Sequence, residues 1–195
     1  MSALPGRPGS GEDAVIEPGT PRSWGASIRP TALEFLTPET DRWSVVPADQ
    51  PISPSAHQLL GWDQWLELRD RWPQDLPVGV VFPNHLHVSD VVPDLPRLAL
   101  VALQFPKWTD GRAYSQARLL RTRHRFAGGL RAIGDVIPDM AAQLSRTGFD
   151  AVQLRAGERI DVARRMLDFF PVFYQADVHE PRLRFVRDIA TRIEA

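Results

Sequence analysis

Residues 98–105 read LALVALQF, an apolar run with a single polar member that ends at Pro106. A continuous apolar strand is typical of a parallel sheet covered on both faces, whereas a strand with one face in water alternates apolar and polar residues. Other short runs have the length of strands, at 78–82 (VGVVF), 130–133 (LRAI), 151–154 (AVQL) and 171–174 (PVFY). The sequence therefore predicts a buried sheet of five strands.

Segments with helical spacing of apolar residues separate these runs. They lie at 90–98, 114–126, 138–147, 160–170 and 181–195. Gly148 closes the third segment, with Phe149 placed for the apolar contact that accompanies a glycine C-cap. Strands that alternate with helices predict an α/β fold with a mainly parallel sheet and flanking helices. We favour a flavodoxin-like three-layer sandwich; half of a β/α barrel has the same local pattern and is the alternative.

The first quarter of the chain has a different composition. Residues 1–54 hold nine of the 18 prolines and predict a Pro/Gly-rich, largely irregular arm before an α/β domain at 55–195. Two apolar islands in the arm, 32–36 and 43–46, fit edge strands of that domain. Residues 62–72 form a tryptophan-rich amphipathic helix, which either docks on the domain or presents a face to a partner.

Composition excludes several classes of protein. The chain has no cysteine, which excludes structural disulfides, thiol nucleophiles and Cys-ligated metal centres. Its formal net charge is −1, and no apolar segment approaches the roughly 20 residues of a membrane span. The N-terminus shows no secretory signal pattern. We expect a cytoplasmic protein that binds neither membranes nor nucleic acid and carries no cofactor or metal.

Ligands of parallel α/β folds bind at the carboxyl ends of the strands. The loops expected there collect the candidate anion-binding residues Lys107, Thr109, Asp110, Gly111, Arg112, Ser115 and Asp135. Gly111 would permit a positive φ or a close backbone approach, and Arg112 would reinforce the free amides at the start of the next helix. Alternatively, Asp110 and Asp135 form an acid/base or metal pair. The simplest interpretation is that both acids are turn or cap residues and that Arg112 pairs with one of them.

Weaker metal and nucleophile signals lie nearby. His85 and His87 flank one residue, and Asp90 or Asp110 would have to supply a third ligand for a metal. Ser115 lacks the glycine elbow of a serine hydrolase. The sequence thus identifies no catalytic residue.

The helix after this loop is unusually basic. Six arginines and no acid lie between Gly111 and Gly134. Arg118, Arg121 and Arg125 recur at spacings of three and four, which places them on one stripe of the helix. The stripe is either a surface for an acidic partner or a solvated face.

Three motifs resemble a known family. Residues 105–121 (FPKWTDGRAYSQARLLR), 130–136 (LRAIGDV) and 146–150 (RTGFD) are similar to a bacterial domain-of-unknown-function family, number 934. The resemblance runs from about 77 to 175. Genes of that family typically lie beside those for assimilatory sulfite reductase and phosphoadenylyl-sulfate reductase, and some members carry an oxidoreductase label. The family has no accepted catalytic residues to transfer.

The resemblance implies a role in assimilatory sulfate and sulfite reduction. The first hypothesis is an accessory protein without catalytic activity that docks on sulfite reductase or helps to assemble it. The alternative is a protein or enzyme that binds a small anion, such as sulfate, sulfite or a nucleotide phosphate, at the Thr109–Arg112 loop.

Overall fold

The computed structural model describes residues 33–169 and 173–180. Within these ranges seven strands form one sheet whose neighbours are all parallel. The strands are β1 (Glu34–Phe35), β2 (Ser44–Val45), β3 (Gln58–Gly61), β4 (Val78–Phe82), β5 (Leu98–Phe105), β6 (Gly129–Gly134) and β7 (Ala151–Val152). The helices are α1 (Trp62–Leu68), α2 (Val88–Val91), α3 (Arg112–Thr122), α4 (Ala141–Thr147) and α5 (Ile160–Asp168), with 3₁₀ helices at Val92–Arg97 and Pro138–Met140. The predicted α/β class and parallel sheet are confirmed, with seven strands instead of five.

The order of the strands decides between the two predicted architectures. The sheet runs β1-β7-β6-β5-β4-β3-β2, so each strand from β2 to β7 lies beside its successor. Right-handed crossovers that always advance in one direction place every helix on the same face of the sheet. A flavodoxin-like sandwich requires the order to reverse, which would place helices on both faces. The fold is therefore the half β/α barrel that the sequence left as the alternative.

The main core lies between the sheet and its helices. Val78, Val80 and Phe82 point to this side of β4 and are buried with apolar residues from all five helices. Trp62 of α1 packs edge-on against Phe82, with ring centroids 5.1 Å apart, and Trp65 is fully buried. These tryptophans therefore dock α1 on the sheet, as one of the two interpretations of the tryptophan-rich helix predicts.

The opposite, concave face of the sheet has a smaller apolar cluster and no helix among the described residues. Leu59, Leu100 and Ala102 form it, and Trp43 packs against them. A Cβ on Gly79 would approach Cζ3 of Trp43 to 3.0 Å, so the indole lies directly on β4. The connection between β1 and β2 thus covers part of the face that a second helix layer would cover in a sandwich.

The described part of the predicted arm belongs to the domain. β1 pairs with β7 and β2 pairs with β3, so both apolar islands are edge strands. Leu33 and Phe35 are buried in the main core. The structural domain therefore begins before residue 55. Residues 1–32, residues 171–172 of the strand predicted at 171–174 and the helix predicted at 181–195 lie outside the described residues. Phe173 and Tyr174, the described half of that predicted strand, do not lie in a strand.

The glycine cap predicted after α4 is confirmed. Gly148 has φ +99° and a left-handed conformation, and its N–H donates to the carbonyl of Ser145 at 3.1 Å. Phe149 N donates to the carbonyl of Leu144 at 3.2 Å, and the Phe149 ring is buried. The described residues contain no helix long and apolar enough to cross a membrane.

Candidate functional site

The candidate residues lie where two neighbouring strands end. Phe105, the last residue of β5, is in register with Gly134, the last residue of β6. The loop at 106–111 and Asp135 therefore start side by side at the carboxyl edge of the sheet. Asp135 N donates to the carbonyl of Phe105 at 2.8 Å, which joins the two loops at their base.

Arg112 pairs with its neighbour in the chain. Its Nε donates to Oδ1 of Asp110 at 3.0 Å and its Nη2 to Oδ2 at 2.6 Å. The backbone N–H of Arg112 also donates to Oδ1 at 3.2 Å, so Asp110 binds the start of α3. The side-chain bond from Arg112 holds the pKa of Asp110 well below its ordinary value. Of the two acids predicted for Arg112, the partner is Asp110.

Asp135 has other partners. Its Oδ1 accepts from Nη1 of Arg155 at 2.9 Å, and its Oδ2 accepts from the backbone N–H of Trp108 at 2.9 Å. The Trp108 bond, followed by the Arg155 bond, lowers the pKa of Asp135. Arg155 also binds Glu158, at 2.8 Å. Asp135 therefore holds the loop after β5 in place through its bond to Trp108 N. This arrangement agrees with the simplest interpretation of the sequence, in which both acids are turn or cap residues.

Gly111 has neither the positive φ nor the close backbone approach that the sequence suggested for it. Its φ is −83°, and a Cβ there would meet only Cδ2 of Tyr114, at 3.7 Å. Tyr114 itself packs edge-on against Phe105, and burial raises its pKa to about 12. Lys107, Thr109 and Ser115 lie exposed.

Of the two histidines, His87 belongs to a helix cap and His85 lies exposed. Nδ1 of His87 lies 2.7 Å from Oγ of Ser89 and accepts from the Ser89 N–H at 3.3 Å, while Asp90 accepts from the N–H of His87 at 3.2 Å. These bonds form the N-terminal cap of α2. No group of three or more metal-binding side chains occurs in the described ranges.

The prediction that Arg118, Arg121 and Arg125 form one exposed basic stripe is wrong for Arg121. Arg121 is buried and donates to the carbonyls of Gly148 at 3.0 Å and Phe126 at 2.5 Å. It also donates to the carbonyl of Gly128 at 2.8 Å and forms an ion pair with Asp150. Arg121 therefore ties α3 to the starts of β6 and β7 and is not part of a partner surface.

The prediction that Arg125 shares a helical stripe with Arg118 is also wrong, because α3 ends at Thr122 and Arg125 follows it with a left-handed φ of 52°. Arg118 and Arg125 are exposed, and Arg118 forms no ion pair in the part of the chain that the structure describes. Helical spacing alone placed the three arginines together, but the side of α3 at Arg121 faces the protein.

The residue that sequence reasoning missed is Trp108. Its side chain is 53% exposed although tryptophan is among the most apolar residues of the chain. Its loop is held at both ends, by the bond from Trp108 N to Asp135 and by the bond from Asp110 N to the carbonyl of Lys107 at 2.9 Å. The signal was an aromatic residue within a polar, glycine-containing turn.

Two cavities lie beside the sheet. One, of about 270 Å³, lies between α3 and the loop after β4. The other, of about 230 Å³, lies on the concave face, where Asp41 fills the guanidinium fork of Arg131 with two bonds of 2.7 Å. His57 lines the second cavity with a left-handed φ of 62° and packs edge-on against Trp43. The first cavity lies at the carboxyl edge, where this architecture binds ligands, whereas the second lies near the starts of β6 and β7.

The fold and the site define a half β/α barrel with a braced, tryptophan-bearing loop at the carboxyl edge of its sheet. The family model described as "Bacterial protein of unknown function (DUF934)" matches residues 79–185, which is more than half of the chain. The chain belongs to this family, which confirms the resemblance carried by the three motifs. No curated protein matches the chain.

Proposed function

We propose that this protein is a non-catalytic docking or assembly partner of assimilatory sulfite reductase, and that the loop bearing Trp108 is its contact surface. The family resemblance is what suggests the partner, because genes of the family typically lie beside those for sulfite reductase. The geometry of the loop supports the choice of contact surface. The observation that carries the proposal is the exposed indole of Trp108 on a loop whose backbone is fixed.

An exposed tryptophan on a rigid loop is suited to protein recognition. Tryptophan is enriched among the interface residues whose truncation costs the most binding free energy. Preorganisation helps because a loop that is already ordered loses little conformational entropy on binding. The Asp135–Trp108 bond and the turn bond from Asp110 N to Lys107 provide that order without using the indole.

The charges around the loop indicate the chemistry of the partner. Asp110 and Asp135 are each neutralised by an arginine, whereas Lys107 has no ion pair among the described residues. Lys107 is therefore the unmatched charge next to Trp108. A complementary surface would have an apolar pocket for the indole and an acidic group at its rim.

The alternative function, binding of a small anion by Lys107, Asp110, Arg112 and Asp135, receives less support from this geometry. Arg112 directs Nε and Nη2 to Asp110, and Arg155 occupies Asp135. An anion at the loop itself would have to compete with both carboxylates.

The test is direct binding of the purified protein to the sulfite reductase of the same organism, measured by calorimetry at low and moderate salt. We expect a complex that Trp108→Ala weakens at least about 30-fold, since truncating an interface hot spot costs about 2 kcal/mol or more. Lys107→Glu is expected to slow association and to change the salt dependence.

Tyr174→Ala is the matched control, because Tyr174 is also an exposed aromatic residue, at 71%. It should leave binding unchanged. Absence of a complex at both salt concentrations would reject the proposed function. A complex that forms equally well with Trp108→Ala would reject this contact surface.

A further inference from the structure

We propose that Arg155, in the loop after β7, is a positioning residue that orders the loop bearing Trp108 by holding the carboxylate of Asp135. This role rests on the proposed function for its purpose, but the order of the loop can be measured in the free protein. Arg155 forms no hydrogen bond with Trp108 in the described part of the chain, so its effect passes through Asp135. The loop after β7 therefore controls a contact surface that lies two strands away in the sheet.

The order of the strands brings these groups together. β6 lies between β5 and β7, so its carboxyl end adjoins both the loop of Trp108 and the loop of Arg155. Asp135 N donates to the carbonyl of Phe105 at 2.8 Å, and Arg155 N donates to the carbonyl of Val136 at 3.0 Å. The main chain thus fixes where Asp135 and Arg155 start, and only their side chains remain to be ordered.

Both oxygens of the Asp135 carboxylate are used, and each one binds a different loop. Oδ1 accepts from Nη1 of Arg155 at 2.9 Å, and Oδ2 accepts from the N–H of Trp108 at 2.9 Å. The terminal torsion of an aspartate side chain is broad, and ordering a side chain costs conformational entropy. Arg155 supplies a second fixed point for the carboxylate. Oδ2 therefore already faces the position of the Trp108 N–H before the loop becomes ordered.

Glu158 in turn holds the guanidinium of Arg155. Its Oε1 accepts from Nε of Arg155 at 2.9 Å and lies 2.8 Å from Nη2. The donors of a planar guanidinium have fixed directions, so fixing Nε and Nη2 also fixes Nη1. A continuous chain of bonds therefore runs from Glu158 through Arg155 and Asp135 to the main chain of Trp108.

The exposure of these ion pairs distinguishes a local role from a general one. The side chain of Arg155 is 46% exposed, and those of Asp135 and Glu158 are 28% and 23% exposed. Ion pairs at the surface add little to the stability of the whole fold and are weakened by salt. Loss of Arg155 should therefore change the order of one loop, in a salt-dependent way, without unfolding the domain.

The test is the rate of solvent exchange of the Trp108 backbone amide, measured by NMR in the full chain without a partner. We expect Arg155→Met to raise this rate about two- to fivefold, the range that corresponds to a broken exposed ion pair. Raising the salt concentration from about 0.05 M to about 0.5 M should raise the rate in the parent chain, because the charges are then screened. The rate in Arg155→Met should not respond to salt.

Arg159→Met is the matched control. Arg159 is also exposed and pairs with Asp161 at 2.8 Å, but it forms no bond with Asp135 among the described residues. Its substitution should leave the exchange of the Trp108 amide unchanged. An unchanged rate in Arg155→Met, or equal increases in Arg155→Met and Arg159→Met, would overturn the proposal. An increase shared by the amides of β5 and β6 would also overturn it, since that result means a loss of global stability.

Binding to sulfite reductase separates this proposal from the proposed function. If the parent chain forms the complex, Arg155→Met should weaken it by up to about fivefold, because only the ordered loop is competent to bind. If the parent chain forms no complex, the proposed function fails, and the amide exchange still decides the role of Arg155. Weaker binding of Arg155→Met without faster exchange would make Arg155 a direct contact and would overturn its positioning role.

Discussion

Two arginines of α3 with similar sequence surroundings have different physical roles. Arg121 is buried and bonded to three carbonyls and Asp150, whereas Arg118, less than one turn earlier, is exposed. Burial lowers the pKa of Arg121, and Asp150 opposes that effect. A buried guanidinium is tolerated because its partners satisfy nearly every donor.

Arg121→Met should therefore destabilise the protein strongly. The change removes the donor to three carbonyls and leaves Asp150 without its counter-ion, with only the Leu130 N–H still donating to its carboxylate. Breaking a buried ion pair costs about 3–5 kcal/mol in the free energy of unfolding. Urea denaturation monitored by circular dichroism measures it. Arg118→Met should change the free energy of unfolding by less than about 0.5 kcal/mol. Similar small effects for both variants would show that Arg121 is not a structural tie.

At the scale of elements, a glycine controls how β6 ends beside β5. Gly134 has φ +99°, and a Cβ there would lie 2.4 Å from the carbonyl oxygen of Phe105. That close approach lets Asp135 N reach the same carbonyl at 2.8 Å. Gly134 thus positions the carboxylate that holds the loop of Trp108.

Gly134→Ala should destabilise the protein by about 2–4 kcal/mol, from a strained left-handed residue together with an overpacked contact. Gly157→Ala separates the two causes, because Gly157 also has a positive φ, +87°, but has no atom within 4 Å of the added Cβ. We expect about 1–2 kcal/mol for it. Thermal or urea unfolding measures both variants. Equal losses would mean that the contact with Phe105 is unimportant.

At the scale of the whole molecule, an ion pair fastens the segment between β1 and β2 to the concave face. Arg131 on β6 and Asp41 are 90 residues apart in the chain and form two bonds of 2.7 Å. The side chain of Arg131 is almost completely buried, and its Nε has no partner. The pair therefore fastens the connection between the two edge strands to β6.

Asp41→Ala should destabilise the protein by about 3–5 kcal/mol, because it leaves a buried guanidinium without its counter-ion. Adding Arg131→Met should recover part of this loss, since the charge itself is then absent. A double-mutant cycle in urea gives the coupling, expected at about 0.5–3 kcal/mol. Losses that simply add would show that the two side chains act independently.

Local patterns of the sequence determined most of the elements between Val78 and Asp168. Apolar runs and helical spacing predict β4, β5, β6 and the helices that follow, because strand and helix periodicity is a property of neighbouring residues. The cap formed by Gly148 and Phe149 was predictable for the same reason. The predicted loops at the carboxyl edge also follow from the fold class.

Only the tertiary structure decided the strand order, the partners of the charged residues and the extent of the domain. β1 and β2 have two residues each, which is too short for any periodicity, and β3 runs directly into α1. The ion pairs that form, Arg112 with Asp110, Arg155 with Asp135 and Arg131 with Asp41, depend on which side chains lie within reach in the folded chain. Spacing in the chain predicts which face of an element a residue occupies, but what that face meets depends on how the elements pack.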